Sequence, residues 1–199
     1  MKILLISDQS DAGLWDYYTP EKLKGIDMII SCGDLPQGYL EFLVTMGNVP
    51  LLYIHSNHDD RFDAQPPEGC CCIDGDVIKV NGLRIMGLGG SMRYRESRHQ
   101  YTEGQMRLRI AKLWWKMLLN RGVDIVVTHA PIQGIGDGED LAHRGFVCFR
   151  KLLERLHPAY WVHGHQHLNY GRNPRIHVCG DTTIINAYGK YILEIEIPL

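Results

Sequence analysis

The stretch VDIVVTHAP, residues 123–131, is a short β-branched apolar run that stops at a histidine. A run of this length with no polar alternation reads as a strand buried on both faces. Five other runs share its character: KILLIS (2–7), IDMIIS (26–31), LLYIH (51–55), LRIMGL (83–88) and AYWVH (159–163). Helical periodicity lies between several of them. Thr102 and Gln105 make a capping box, and Met106, Ile110, Leu113, Trp114, Met117 and Leu118 then fall on one face until Gly122. Their place in this pattern makes Trp114 and Trp115 core and rim residues rather than a stacking platform for bases. A second helix carries Phe149, Leu152, Leu153 and Leu156 and stops at Pro158. After Tyr170 the segments shorten to RIHVCG, TTIINAYG and KYILEIEI, a pattern of antiparallel strands closing a sheet. Strands alternating with helices, followed by strands alone, predict an α/β architecture with a mixed sheet or two.

Composition bounds the function. With 199 residues, 45% hydrophobic and 22% charged, the chain reads as one globular domain over 1–199. A net charge of -2 provides no basic field for gripping a polyanion, which makes nucleic acid an unlikely partner. The opening MKILLISD is too short for a signal peptide or a membrane span, so a cytoplasmic protein without membrane contact is expected. The six cysteines read as thiols, including the CCC at 70–72, which lacks the C-x-x-C spacing of a soft-metal site.

The polar residues follow the strands. SD comes after the first run, CGD after the second, SNHD after the third, THAP after Val127 and HGHQH after Val162. In open α/β sheets the carboxyl edge of the strands is where ligands bind, so Asp8, Asp34, Asn57, His58, His129, His165 and His167 are predicted to meet there. His163, His165 and His167 alternate along the chain, which places them on one face of an extended segment. Carboxylates, a carboxamide and imidazoles form a mixed O/N shell suited to Mn, Fe, Zn, Ni or Co. Asp34, on the tight GD turn, is placed to bridge two ions about 3.5–4 Å apart. A water on such ions ionises near pH ~7 rather than ~15.7 and can attack phosphorus. His58 needs no metal and is available to protonate the leaving oxygen.

The ordered series Asp8, CGD with Asp34, SNHD with Asn57 and His58, THAP with His129, and GHQH with His165 and His167 resembles the calcineurin-like metallophosphoesterase family. The resemblance implies a four-layer αββα sandwich, two mixed sheets flanked by helices, and two divalent metal ions. Carried over, it assigns Asp8 and His167 to the first ion, Asp34 to both, and Asn57, His129 and His165 to the second, with His58 as general acid. His163 lies outside the pattern and is left a supporting or packing role. The family usually opens with D-x-H, whereas this chain reads Asp8, Gln9, Ser10. A serine hydroxyl is a poor ligand, so a weaker first site is expected. Ser56 stands where glycine is more usual, with Asn57 and His58 intact.

The expected activity is a divalent-metal-dependent phosphoesterase acting on a small phosphate ester, a diester before a monoester, with nucleotides among the candidates. Two alternatives use the same fold: a catalytically weak protein-binding scaffold, and a nuclease. Retention of His58 and the second-ion residues argues against the first, and the acidic balance argues against the second. In GGSMRYRESRHQY (89–101), Arg93, Arg95 and Arg98 suit phosphate oxygens and Tyr94 and Tyr101 suit a base or sugar, with an ordinary solvated loop as the competing reading. GIGDGEDLAHRGF (134–146) is glycine-rich but lacks the lysine and hydroxyl of a P-loop. Its Asp137 and His143 either line the cleft or order the loop.

Overall fold

The central strands are covered on both faces, which is why they read as unbroken apolar runs. The computed structural model describes residues 1–168 and 174–196. In chain order its first half contains β1 (Lys2–Ser7), β2 (Met28–Ser31), α1 (Gln37–Gly47), β3 (Leu51–Tyr53), β4 (Cys71–Cys72), β5 (Asp76–Val80), β6 (Leu83–Leu88) and β7 (Ser91–Met92). There follow β8 (Gln100–Tyr101), α2 (Glu103–Leu119), β9 (Ile125–Thr128), α3 (Val147–Leu156), β10 (Tyr160–His163), β11 (Ile176–Cys179), β12 (Thr182–Asn186) and β13 (Gly189–Glu194).

One sheet has the order β13-β1-β2-β3-β4 and the other β11-β12-β10-β9-β6-β5, with β7 and β8 as a small separate pair. In the first sheet β1 to β4 are parallel and β13 is antiparallel. In the second, β12, β10, β9 and β6 are parallel, while β11 and β5 are antiparallel edges. Side chains alternate between layers, as the period of two requires. Ile3, Leu5, Ile30, Ile85, Ile125, Val127 and Val162 meet between the sheets. Leu4, Ile6 and Ile29 face the other way, onto Tyr39, Leu40 and Leu43 of α1. Met86, Val126 and Trp161 pack against Met106, Leu113 and Met117 of α2 and Phe149, Leu152 and Leu153 of α3. The result is the expected four-layer αββα sandwich of two mixed sheets flanked by helices. Full burial of each such aliphatic side chain contributes roughly 1.5–3 kcal/mol, so this packing rather than helix propensity holds the strand ends in place.

The capping box at Thr102 forms: its hydroxyl accepts from Gln105 N at 3.3 Å, and Gln105 Oε1 accepts from Thr102 N at 2.9 Å. The apolar face of α2 is narrower than expected. Leu118 is 54% and Trp115 74% exposed, whereas Trp114 is 38% exposed and lies beneath the Arg155 guanidinium. Leu118 and Trp115 sit one and two residues from Met117, which at about 100° per residue turns them off the buried stripe. α3 ends as its proline predicts, with His157 at φ 44 just before Pro158.

The trailing strands depart from expectation. β11 and β12 pair antiparallel, but β13 crosses to the other sheet and pairs with β1. Its exposed residues are consistent with that edge position. The last residue of KYILEIEI lies outside the described residues. α1 has no counterpart in the sequence reading. Among the described residues no helix is long and apolar enough to cross a membrane.

Candidate metal centre

Three acceptor-bearing residues sit at strand ends in the left-handed backbone region: Asp8 at φ 64, Asp34 at φ 60 and His165 at φ 67. For residues with a Cβ this region costs of order 1–2 kcal/mol each, and it persists only where neighbours enforce it. Here they do. His165 N donates to Asp8 Oδ1 at 3.1 Å and Oδ2 at 2.9 Å, joining the ends of β1 and β10 across 157 residues. A Cβ on Gly164 would lie 1.9 Å from Ser7 Oγ and 2.7 Å from Asp8 Oδ2, so only glycine permits that approach. Asp34 N donates to Asp59 Oδ2 at 3.0 Å, and the same oxygen takes Ser56 N at 2.7 Å.

The imidazoles are fixed from behind. His129 is fully buried, and its Nδ1 donates to the Cys32 carbonyl at 2.8 Å. That tautomer leaves Nε2 as a bare lone pair, 3.1 Å from Asn57 Oδ1. His165 Nε2 donates to the Ala142 carbonyl at 2.6 Å, which leaves Nδ1 as that ring's lone pair. Burial pushes His129 down to about 4, and burial followed by the charge of His129 pushes His165 down to about 3. Both are therefore neutral at pH 7, the form that binds metals. The carboxylates respond oppositely. Burial raises Asp8 to about 6, and burial followed by the charge of Asp8 raises Asp34 to about 6.

His58 and His167 are exposed, and their charges pull Asp34 back down, so both stand within electrostatic reach of it. The His167 ring is 4.9 Å from that of Tyr188, and the His129 and His165 rings are 4.7 Å apart. The fold thus links Asp8 with His165 and Asn57 with His129, and brings His58 and His167 within electrostatic reach of Asp34. Desolvated carboxylates and neutral imidazoles that each keep one unprotonated nitrogen are a donor set that fits divalent cations, without any thiolate.

His163 stays outside this set: it is buried, its Nδ1 donates to the Gly164 carbonyl at 3.0 Å, and burial lowers it to about 4. Asp137 orders its loop by accepting from Gly134 N and Gly145 N. His143 pairs with Asp140 and its ring stands 5.3 Å from that of His165, so it borders the cleft as well. In the 89–101 loop, the Tyr94 hydroxyl accepts from Asn57 Nδ2 at 3.2 Å and carries Arg95 over its ring. Arg93 turns to the Gln100 carbonyl, Arg98 pairs with Asp63, and the Tyr101 ring is covered by Arg109. Asp59 is the residue the sequence reading passed over; it lies within SNHD, but its work on two backbone amides is visible only in three dimensions. A groove of about 630 Å³ between α2 and α3, bordered by Arg107, Trp114, Trp115 and Arg155, contains none of these residues.

Comparison with known proteins bears on the family and the fold. Residues 1–169 match the Metallophos family, described as calcineurin-like phosphoesterase. A lariat debranching enzyme of Entamoeba histolytica is 28% identical over 125 residues, 51% of this chain and 34% of that protein. The chain therefore spans about a third of that relative's length. Among solved structures, TT1561 of Thermus thermophilus superposes with a TM-score of 0.62 at 16% identity, covering 94% of this chain and 89% of that one, and so shares its fold. A novel archaeal phosphodiesterase gives a TM-score of 0.47 at 14% identity, covering 98% and 93%. With residues 1–169 matching the family pattern, the chain belongs to the calcineurin-like phosphoesterases.

Proposed function

We propose that the chain hydrolyses a small phosphodiester, with nucleotides among the candidate substrates, at the cluster described above. Asp8 and His167 would hold one divalent ion, Asn57, His129 and His165 a second, and Asp34 both. The observation that carries this reading is the 3.1 Å approach of two acceptors, His129 Nε2 and Asn57 Oδ1, with the opposite nitrogen of His129 committed to Cys32. A cation reconciles them, and the Tyr94 hydroxyl holds the Asn57 amide in the orientation that presents its oxygen. When bound, the ions would supply an ionised water at neutral pH and neutralise phosphoryl oxygens.

The chain's own residues do the rest. His58, exposed at the mouth and with its backbone amide fixed to Ser56 Oγ at 3.0 Å, donates the proton to the leaving oxygen. Asp59 sets the turn that aims Asp34 and the SNHD loop. Ser10, in place of a histidine, leaves the first ion less firmly held, which favours a diester over a monoester with its additional negative charge. Manganese is the proposed metal. The six free thiols support a reducing compartment such as the cytoplasm.

The test is hydrolysis of bis(p-nitrophenyl) phosphate and p-nitrophenyl phosphate by chelator-stripped protein, with and without Mn2+. The expected result is Mn2+-dependent turnover that favours the diester and is abolished by Asp34→Asn. Protein that binds Mn2+ but turns over neither ester refutes the proposal and leaves the fold as a binding surface.

A further inference from the structure

A second group of histidines and carboxylates lies between β3, the turn Asp60–Asp63 and the 89–101 loop, sharing no side chain with the cluster above. The rings of His55 and His99 stack with centroids 4.4 Å apart and planes 3° from parallel. His99 Nε2 is 3.3 Å from Asp63 Oδ1 and 4.0 Å from Asp60 Oδ1, and His55 Nε2 is 3.8 Å from Asp63 Oδ1. One ligand atom from each of His55, Asp63 and His99 lies within 4.8 Å of the other two. His55 is 9% and His99 7% exposed. Yet His55 Nε2 and both nitrogens of His99 have no hydrogen-bond partner among the described residues. The 3.3 Å approach to Asp63 is thus close without being aligned as a hydrogen bond. Buried polar atoms are normally paired, so three orphans, two of them facing one carboxylate, require an explanation.

We infer that His55 Nε2, His99 Nε2 and Asp63 form a divalent-cation site of the zinc class, with Asp60 as its fourth side chain. Two imidazoles and carboxylate oxygens make up a four-coordinate N/O shell, and histidine nitrogen and carboxylate oxygen are both ordinary zinc ligands. The back of the site is already built. Asp74 Oδ2 is 3.0 Å from His55 Nδ1 and fixes the tautomer that turns Nε2 toward the ligands. Asp74 is itself held by Arg109 and by Gly89 N at 2.7 Å. The thiol of Cys72 approaches His55 from β4 but completes no hydrogen bond to Nε2.

A proton is the competing occupant. Burial is the largest single influence and opposes it, but Asp74 and Cys72 together outweigh burial and hold His55 near 10 when no cation is present. A proton on His55, however, leaves both nitrogens of His99 unpartnered, whereas a cation engages His55, His99 and Asp63 together. Its place in the fold gives the cation a structural task. His55 O accepts from Gly90 N at 2.7 Å, His99 O from Ser91 N at 3.1 Å, and Ser97 Oγ reaches Asp60 Oδ2 at 3.2 Å. The ion would pin the loop carrying Tyr94 to the segment carrying Asn57 and His58, without itself touching substrate.

The test begins with unaltered protein: crystals soaked in zinc chloride, with anomalous diffraction measured across the zinc absorption edge. A peak bounded by His55, His99 and Asp63 is expected, and its absence overturns the inference and leaves an imidazolium–carboxylate pair. In solution, protein carrying Asp34→Asn and His165→Gln, which leaves each strand-end ion only two of the side chains assigned to it, is titrated with zinc chloride by calorimetry. Binding of one equivalent is expected, with affinity falling at least tenfold when His99→Gln is added. Unchanged binding in that triple variant overturns the inference as well. Neither measurement reads phosphate-ester hydrolysis, so this site and the proposed activity stand or fall separately.

Discussion

Replacing Asp59 with alanine removes a single oxygen that two backbone amides share. Asp59 is 3% exposed, and its Oδ2 accepts from Ser56 N at 2.7 Å and Asp34 N at 3.0 Å, so water has little access to satisfy either amide afterwards. Each buried donor left unmet costs about 1–3 kcal/mol, which gives roughly 2–6 kcal/mol for the pair. At about 2–4 °C per kcal/mol for a chain of this size, the melting temperature should fall by on the order of 10 °C. Asparagine retains an acceptor at the same place, so Asp59→Asn should keep most of the stability. The function should suffer beyond the melting loss in Asp59→Ala, because Asp34 at φ 60 is held there by the amide that loses its partner. Thermal melts followed by circular dichroism, with Mn2+ affinity measured well below the melting point, separate the two effects. An Asp59→Ala protein that melts within about 1 °C of the parent, equivalent to under ~0.5 kcal/mol, would show that the shared acceptor is not what holds the turn.

Ser10→His should tighten the weaker Mn2+ equivalent at least tenfold in a calorimetric titration; two equally tight ions in the parent chain would remove the reason for the experiment. His58→Gln should lower kcat by about 10²–10⁴-fold while leaving Mn2+ stoichiometry intact, and parallel loss of metal would reassign His58 from proton donor to ligand. Gly164→Ala puts a Cβ 1.9 Å from Ser7 Oγ, so roughly 1–3 kcal/mol of destabilisation in urea is expected, with near-parental stability as the refuting result. Burial holds His163 at about 4 against its ordinary 6.5, so the unfolded chain binds the extra proton between those limits and stability falls as pH falls through them. His163→Gln should flatten the pH dependence of unfolding there by about 1.4 kcal/mol per unit, and an unchanged slope from pH 6.5 to 4 would contradict it.

The layers were legible because burial on both faces leaves a mark in sequence: Ile3 and Leu4, or Ile125 and Val126, must all be apolar although they face different cores. The strand-end residues were legible for a related reason, since a polar side chain directly after such a run can lie only at the sheet's edge. α1 was not, because QGYLEFLVTMG has glycine near both ends and Val44 and Thr45 within it, so local propensity argues against the helix that packing on Tyr39, Leu40 and Leu43 supports. The destination of β13 was hidden too, as an edge strand carries no record of which sheet it joins. His55 and His99 are 44 positions apart with no ligand-type spacing, and their stacking depends on the path of two loops. Asp59 stood in plain view inside SNHD, but a carboxylate that serves backbone amides looks in sequence like any other acid.

The pairing of β1 with β13 sets Lys2 against Glu194, and the Met1 ammonium donates to the Ile195 carbonyl at 2.8 Å across 194 residues. Contacts of such separation are slow to form, because the intervening chain must be closed before they return any stability. At a synthesis rate of about 5–20 residues per second, β1 waits roughly 10–40 s for this partner to leave the ribosome. Asp8, at the end of β1, waits nearly as long for the amide of His165. During that interval the growing polypeptide exposes an unpaired sheet edge and lacks the Asp8–His165 contact, so its demand on chaperones should peak while its chemistry is still switched off.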